Sequence, residues 1–600
     1  MSSRYERFGD IADLERSISL CRDVVRLTPD GHPHRPSRLD SLGSLLSTRY
    51  ERLGDVVDLE GSISLREDAV QSTPDGHRDK PLWLNNLSHS LSSRFEHFGD
   101  TVDLGRSISA LEDAVQFTPD GHPDKPTQLN NLGRSLSSRY KRFGDIDDLE
   151  RLISLFKDAL QFTPDGHPDK PFQLNNLGHS LSTRYRRFGD IVDLERSISL
   201  FEDAVQFTPN GHPDKASRLN NLGSSLSTRY ERFGDIVDLE RSIPLLEDAM
   251  QFTPDGHRDK PLRLGSLAVS FFQRFQHSGD LSSSDLSRAI LYSSRAACSH
   301  QGPSLHRFRA SQSWIQCARL LGRDSQSLLD AYTVTVGLLP QLAWIGLSLH
   351  DCYHQLLQAA DAACDAAAAA LEVHRPELAI EWLEQGRSIA WSQLSQLRTP
   401  VDDLRSEYPE LAAQFERISR ELELERASAQ DRTAVNEFKF VNRSNMNMVD
   451  GLLEKEAQQH HTLAISREGL LAEIRALAGF ERFLLPKTIN QLSSLVHWGP
   501  VVFLNASKHR CDALVVMGGP KQVVHVPLSN TNYDEVAGMQ RRLKDLLRLK
   551  GRDISRDDSD RGARPQGMTP DYVFRSILPY LWENVVGPIL EVLALSVCEP

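Results

Sequence analysis

Apolar side chains recur along the first half of the chain in two alternating helical stripes. Between residues 171 and 188, Leu174, Leu177, Leu181 and Tyr185 fall three and four apart, which is one face of a helix. Pro171 suits the first turn of that helix, and Phe188 with Gly189 ends it. Asp190 is then placed to cap a second helix, with Asp193 in its first turn. Leu194, Ile198, Phe201 and Val205 form the second apolar face. Thr208-Pro209-Asn210-Gly211 carries the turn chemistry that stops it. The pattern predicts a helix–turn–helix hairpin.

The hairpin is written many times over. Gly-Asp recurs at Gly9, Gly54, Gly99, Gly144, Gly189, Gly234 and Gly279, always 45 residues apart. Pro29, Pro74, Pro119, Pro164, Pro209 and Pro254 keep the same step, as do Leu14, Leu59, Leu104, Leu149, Leu194 and Leu239. One hairpin cannot bury both its apolar stripes, so the repeats must stack into a solenoid that advances roughly 8–10 Å per repeat. Leu177-Gly178, Tyr185, Ala204 and Pro209 resemble the tetratricopeptide pattern, in a unit longer than the usual one. Leu-Asn-Asn-Leu-Gly at 174–178 is similar to the long tetratricopeptides of kinesin light chains. Met1 falls in the second half of a first helix, from which we expect a chain cut from a longer product.

Three recurring residue sets are candidates for function. Asn85-Asn86, Asn130-Asn131, Asn175-Asn176 and Asn220-Asn221 lie on the first helix of four middle repeats, with Asp40-Ser41 and Gly265-Ser266 at either side. Tetratricopeptide arrays that this one resembles use such asparagines to hold the backbone of an extended peptide. An amide both donates and accepts, which suits that task, or equally a bond to the neighbouring hairpin. Arg4, Arg49, Arg94, Arg139, Arg184, Arg229 and Arg274 keep step with Asp13, Asp58, Asp103, Asp148, Asp193 and Asp238, which suggests an Arg–Asp pair across each hairpin, with ligand contact as the other possibility. His32, His77, His122, His167, His212 and His257 follow each turn. Neighbours stand one repeat apart, too far to share an ion at ~2 Å bond lengths, so they read as turn residues and no metal is expected.

Beyond residue 280 the period decays. Residues 281–398 read as degenerate helical repeats, with an alanine-rich helical hairpin near 359–380. Val334 to Leu349 reads as a buried helix pair interrupted at Pro340. Residues 399–480 form a charged helical connector with a loop near Asn442 to Asn447. Three short apolar runs at Val501–Leu504, Ala513–Met517 and Val523–Leu528 read as strands, the last two joined through Gly518-Gly519-Pro520. Helices return at 534–549 and 570–596, around a polar insertion from Arg552 to Gln566. The fold class is therefore mostly α: a tetratricopeptide-like helical solenoid over residues 1–280, and a smaller α/β module over 481–600.

The blocks Glu384-Gln385-Gly386-Arg387-Ser388, Gly479-Phe480-Glu481-Arg482-Phe483-Leu484, Gly499-Pro500-Val501-Val502 and Arg510-Cys511-Asp512-Ala513-Leu514 resemble fungal proteins that carry tetratricopeptides before a caspase-like CHAT domain. The resemblance implies that 481–600 is the N-terminal part of such a domain. Its peptidase chemistry needs a His-Gly after one strand and a Cys after another. No such blocks follow Leu485, and Cys598 stands two residues from the end. Centring the turn on Gly519-Pro520 sets Leu514 opposite His525 and Cys511 opposite Leu528, so Cys511 and His525 face opposite ways, ~10 Å apart. No catalytic residue is assigned.

Composition narrows the partners. Lys plus Arg number 69 and Asp plus Glu 82, a net charge of −13, which argues against nucleic acid or an anionic membrane. Seven cysteines without a Cys-x-x-Cys spacing indicate a reducing, cytoplasmic setting, and the polar N-terminus shows no secretory signal. No phosphate-binding loop is present and no cofactor is expected. The reading is a scaffold that binds a peptide or protein partner in the solenoid groove, with an inert partial caspase-like module. The alternative is a caspase-like cysteine peptidase whose catalytic His/Cys half lies outside this chain.

Overall fold

The computed structural model describes residues 11–53, 55–98, 101–280, 284–299, 302–322, 326–342, 359, 361–386, 389, 396–398, 401–436, 463–464, 466–485, 488–493, 499–517, 523–553 and 570–597. Cys598, the asparagine-rich stretch 442–447 and the turn 518–520 lie outside them, as does most of the polar insertion. The chain divides into two compact units. One holds Met1–Asp285, Ile345–Asp351 and Leu397–Ala476, and the other Leu286–Trp344, Cys352–Gln396 and Leu477–Pro600.

The first unit is a helical repeat solenoid. After helix Ile11–Arg26 come paired helices Arg35–Leu53 with Val56–Gln71, Lys80–Phe98 with Thr101–Phe117, Lys125–Phe143 with Ile146–Gln161, Lys170–Phe188 with Ile191–Gln206, and Lys215–Phe233 with Ile236–Gln251, then helix Lys260–Ser278. The recurring Gly-Asp makes the reversal in the three hairpins where both residues are described between paired helices. Gly144, Gly189 and Gly234 adopt φ of 72°, 76° and 72°, a left-handed conformation that favours glycine, and each amide donates to the carbonyl of the tyrosine four residues earlier. The next residue, Asp145, Asp190 or Asp235, accepts the amide two residues on and caps the second helix. Two residues therefore end one helix and start its antiparallel partner.

Apolar stripes from successive hairpins close on one another. Leu149, Leu152, Ile153 and Phe156 of one second helix pack with Leu132 and Leu136 of their own hairpin and Leu177 and Leu181 of the next. A Cβ at Gly133 would stand 2.5 Å from the Phe156 ring, so glycine is what lets the ring lie on the helix. Each repeating arginine forks onto its aspartate: Arg49–Asp58, Arg94–Asp103, Arg139–Asp148, Arg184–Asp193, Arg229–Asp238 and Arg274–Asp285 have Nε–Oδ2 distances of 2.6–2.9 Å. Arg94, Arg184 and Arg229 also bond Glu60, Glu150 and Glu195 of the preceding hairpin at 2.9–3.0 Å. The pair spans the turn and, in these three, the seam between repeats.

The second unit contains two helical hairpins, Ser304–Arg319 with Gln326–Leu342 and Ala362–Glu372 with Pro376–Gly386, and a three-stranded sheet. Helix Gln326–Leu342 runs through Pro340, where the sequence predicts a break. The helix ends two residues beyond Pro340, and residues 343–358 lie outside the described ones. Strands β1 (Val501–Ala506), β2 (Cys511–Val516) and β3 (Val523–Pro527) pair antiparallel in that order, with Leu514 opposite His525 as the turn position requires. β2 is buried throughout. On one face, Cys511, Ala513, Val515 and Val526 pack against Val585 and Ile589 of the last helical segment. On the other, Asn505 donates to the carbonyl of Cys364 and Ser507 to the carboxylate of Asp365, which ties the sheet to helix Ala362–Glu372.

Candidate functional site

The paired asparagines sit on the first helices, which contact one another along the array. Their amides form a ladder with a one-residue stagger. Asn131 Nδ2 donates to Asn85 Oδ1, Asn176 Nδ2 to Asn130 Oδ1 and Asn221 Nδ2 to Asn175 Oδ1, each at 2.9 Å. Asn86 Nδ2 donates to the Asp40 carboxylate at 3.1 Å, so the aspartate in the first repeat begins the ladder as an acceptor. The ladder ends at Asn220, whose Oδ1 is buried without a partner because Ser266 replaces the next asparagine. The bonds hold the side chains in fixed rotamers. The first three pairs each give one donor and one acceptor to the ladder and the fourth gives a donor alone; Asn130 and Asn220 are buried, and the other six asparagines are half-buried.

Charged side chains lie beside the ladder. Lys141 is exposed to solvent, yet protein surrounds it closely enough that desolvation lowers its pKa, with Arg134 and Arg186 adding to that effect and Glu96 opposing it. His179, half-buried, is pushed down to about 3 by desolvation first and then by Lys141 and Arg186. His89 is held at about 4 by desolvation and by Arg66 and Arg134. Groups that are wet yet flanked on most sides by protein lie in a hollow. Tyr50 is raised by burial, and the Arg258 charge opposes this, so the turn before helix Lys260–Ser278 lies near the first complete hairpin. Along the hollow the equivalent position reads Glu51, Glu96, Lys141, Arg186 and Glu231, basic in the middle and acidic on either side.

The turn histidines have a local task. The Nδ1 of His32, His77, His122, His167, His212 and His257 accepts the amide two residues on, at 3.1–3.2 Å. In the sheet, Cys511 joins the core on one face while His525 lies on the other, its Nε2 2.7 Å from Asp512 Oδ1. Burial raises the Cys511 thiol, which disfavours its thiolate. Arg510 bonds both oxygens of Asp512 at 2.7 Å. Burial opposes ionisation of Asp512, but His525 and Arg510 outweigh it and hold its pKa below the ordinary value. Sequence reasoning passed over this trio, although Arg510 immediately precedes β2 and stands two residues before Asp512, the spacing that shares a face in extended chain.

No family model matches the chain, and no curated protein does. Solved structures with a similar fold include a putative kinesin light chain of Podospora anserina with nearly identical TPR-like repeats, 17% identical over 36% of this chain and 95% of that one, at a TM-score of 0.27. BtubC from P. vanneervenii is 18% identical over 41% of this chain and 94% of its own, at 0.29. The human IFIT1 dimer with m7Gppp-AAAA is 13% identical over 64% and 79%, at 0.36. The chain is a tetratricopeptide-like helical repeat protein in fold. No helix among the described residues is long and apolar enough to cross a membrane.

Proposed function

We propose that the chain is a protein-interaction scaffold whose hairpin array holds an extended segment of a partner along its first helices. The observation that carries this reading is the asparagine ladder. Asn85, Asn130, Asn131, Asn175, Asn176 and Asn221 are pre-set by bonds to one another and Asn86 by its bond to Asp40. Asn130 and Asn220 are buried beneath the ladder, and the half-buried Asn85, Asn86, Asn131, Asn175, Asn176 and Asn221 keep further amide groups for a ligand. A ladder of donors and acceptors at a fixed interval suits a peptide backbone, which presents both groups in every residue. Holding the side chains in place beforehand lowers the entropy cost of binding.

The test is quantitative affinity capture with the full chain. Asn130→Ala combined with Asn175→Ala removes two rungs, and Arg134→Glu combined with Lys141→Glu alters the hollow while sparing the ladder. Both are expected to reduce recovery of the same partner by about tenfold or more, since each lost hydrogen bond contributes ~0.5–1.5 kcal/mol. An unchanged partner set in both variants, with unchanged helicity by circular dichroism, sinks the reading.

A second reading is favoured by the surface of the 481–600 module. Val501, Val502 and Leu504 on β1 are exposed, as are Phe574, Leu578, Trp582, Val586 and Leu590, spaced four apart along the last helical segment. On this reading the module is the first part of a caspase-like domain and waits on further polypeptide that carries the histidine and cysteine strands. Mass spectrometry of the native protein decides it. Peptides beyond Pro600 with a His-Gly strand and a Cys strand support the peptidase, and a native mass equal to that of 600 residues rules it out.

A further inference from the structure

Two neighbouring first helices differ from the rest of the array in charge. Lys125–Phe143 and Lys170–Phe188 contain no acidic residue, whereas Glu96 stands in the first helix before them and Glu231 in the first helix after. The stacking residues repeat almost unchanged along the array, but the places of Arg134 and Lys141 read His89 and Glu96 one repeat earlier, His179 and Arg186 one repeat later, then Ser224 and Glu231. The stack therefore does not set them. Arg134, Lys141 and Arg186 are exposed, and none forms an ion pair among the described residues.

Helix geometry brings these cations together. Arg134, Ser138 and Lys141 stand four and seven residues apart on one face of their helix, so Arg134 and Lys141 are about 10 Å apart along its axis. His179 and Arg186 hold the same two places on the next helix, roughly 8–10 Å to the side. The four mark the corners of a square whose centre is roughly 7 Å from each, a distance that arginine and lysine side chains span. Half-buried Ser138 lies on its floor. At the head of the same seam Asn130, 1% exposed, accepts from Asn176 and keeps its Nδ2 donor without a partner. Desolvation disfavours the charged forms of Lys141 and His179, and Arg186 adds to this in both, so the groups act on one another across the seam.

We propose that this seam holds a phosphorylated side chain of the partner segment, a proposal that rests on the groove reading above. Charge sets the class of ligand. A single carboxylate leaves two of the three cations without a counter-charge. A phosphoryl group carries about −1.5 to −2 and three acceptor oxygens, which suits three donors converging from two helices. A long polyanion such as nucleic acid runs past the seam and onto Glu96 and Glu231. The same two carboxylates favour basic residues on either side of the phosphoryl group. Each stands roughly one and a half repeats from the centre of the square, which is about four residues of extended chain at ~3.3 Å per residue. Phosphorylation of the partner is then the switch that seats it.

The test is retention of two synthetic peptide libraries on the immobilised full chain. Both are about twelve residues long, the extended length of four repeats, with random flanks and either phosphoserine or serine at the centre. The phosphoserine library is expected to be retained at least tenfold better, with lysine or arginine enriched about four positions to either side. Lys141→Glu with Arg186→Glu should abolish that preference. Glutamate already holds this place in the repeats on either side, so the fold accommodates it, and unchanged circular dichroism checks that. Asn86→Ala with Asn221→Ala removes ladder amides outside the seam, and should lower retention of both libraries while leaving their ratio. Equal retention of the two libraries, lost in the asparagine variant, overturns the phosphoryl site and leaves the groove reading standing. Retention of neither library overturns both. Inorganic tripolyphosphate is the control for a free anion: if it binds as tightly as the retained phosphopeptides, and the asparagine variant binds both undiminished, the seam serves a small anion and the proposal fails.

Discussion

Arg94→Ala is expected to destabilise the protein by about 3–5 kcal/mol, the usual cost of breaking a buried ion pair by removing one partner. Arg94 is 2% exposed and bonds Asp103 across its own turn and Glu60 across the seam to the preceding hairpin. Burial alone would lower the pKa of the guanidinium, but its bonds to Asp103 and the charges of Asp103 and Glu60 outweigh that and raise it. Removing it leaves two carboxylates without their common cation. Glu60 is already held above the ordinary glutamate value by burial, with Arg94 opposing the rise. In the variant that opposition is gone, so the Glu60 pKa rises further. A raised carboxylate pKa costs stability above the unfolded value, and the cost is relieved as pH falls through the folded value. The loss is therefore expected to shrink between pH 7 and pH 5. Arg184→Ala, whose glutamate partner Glu150 is half exposed, should cost less, because water can solvate what is left. Urea unfolding at both pH values checks the size and the sign. A loss under 1 kcal/mol at pH 7, or one that grows on acidification, contradicts the account.

What the sequence made legible follows from how local each cause is. Gly189 and Asp190 could be read as a helix end and a helix start because both act within four residues. The Arg184–Asp193 pair was legible because nine residues with a known turn between them fix where each side chain lies. The strand register followed from one turn position. The asparagine pairs were visible, but their stagger was not. Asn131 reaches Asn85, 46 residues back in a chain that repeats every 45, and only the offset between packed helices sets that extra residue. The hollow's charges were hidden for the opposite reason. Glu96, Lys141 and Arg186 share a place in the repeat but not a residue type, so no period announces them.

The stacking of repeats is most exposed to the loss of the aromatic rings that bridge them. Phe201→Ala is expected to cost about 3–5 kcal/mol, the range for deleting a buried aromatic ring. Phe201 is 1% exposed and packs with Leu194, Ile198, Leu222 and Leu226, so its ring belongs to two hairpins at once. In a solenoid each repeat is held by its neighbours, and a void there weakens the coupling between the two flanking segments. Gly178 gives the direct test of packing. A Cβ at that position would lie 2.9 Å from the Phe201 ring. Gly178→Ala alone should therefore destabilise by about 1–3 kcal/mol through overpacking. In the Phe201→Ala background the same change meets a void, and the ~1 kcal/mol preference of a helix for alanine over glycine should make it stabilising. The next repeat already pairs Gly223 with Leu246, so Phe201→Leu should cost under about 1.5 kcal/mol. A double-mutant cycle by urea unfolding measures the coupling. If Gly178→Ala has the same effect in both backgrounds, the glycine is kept for a reason other than the ring.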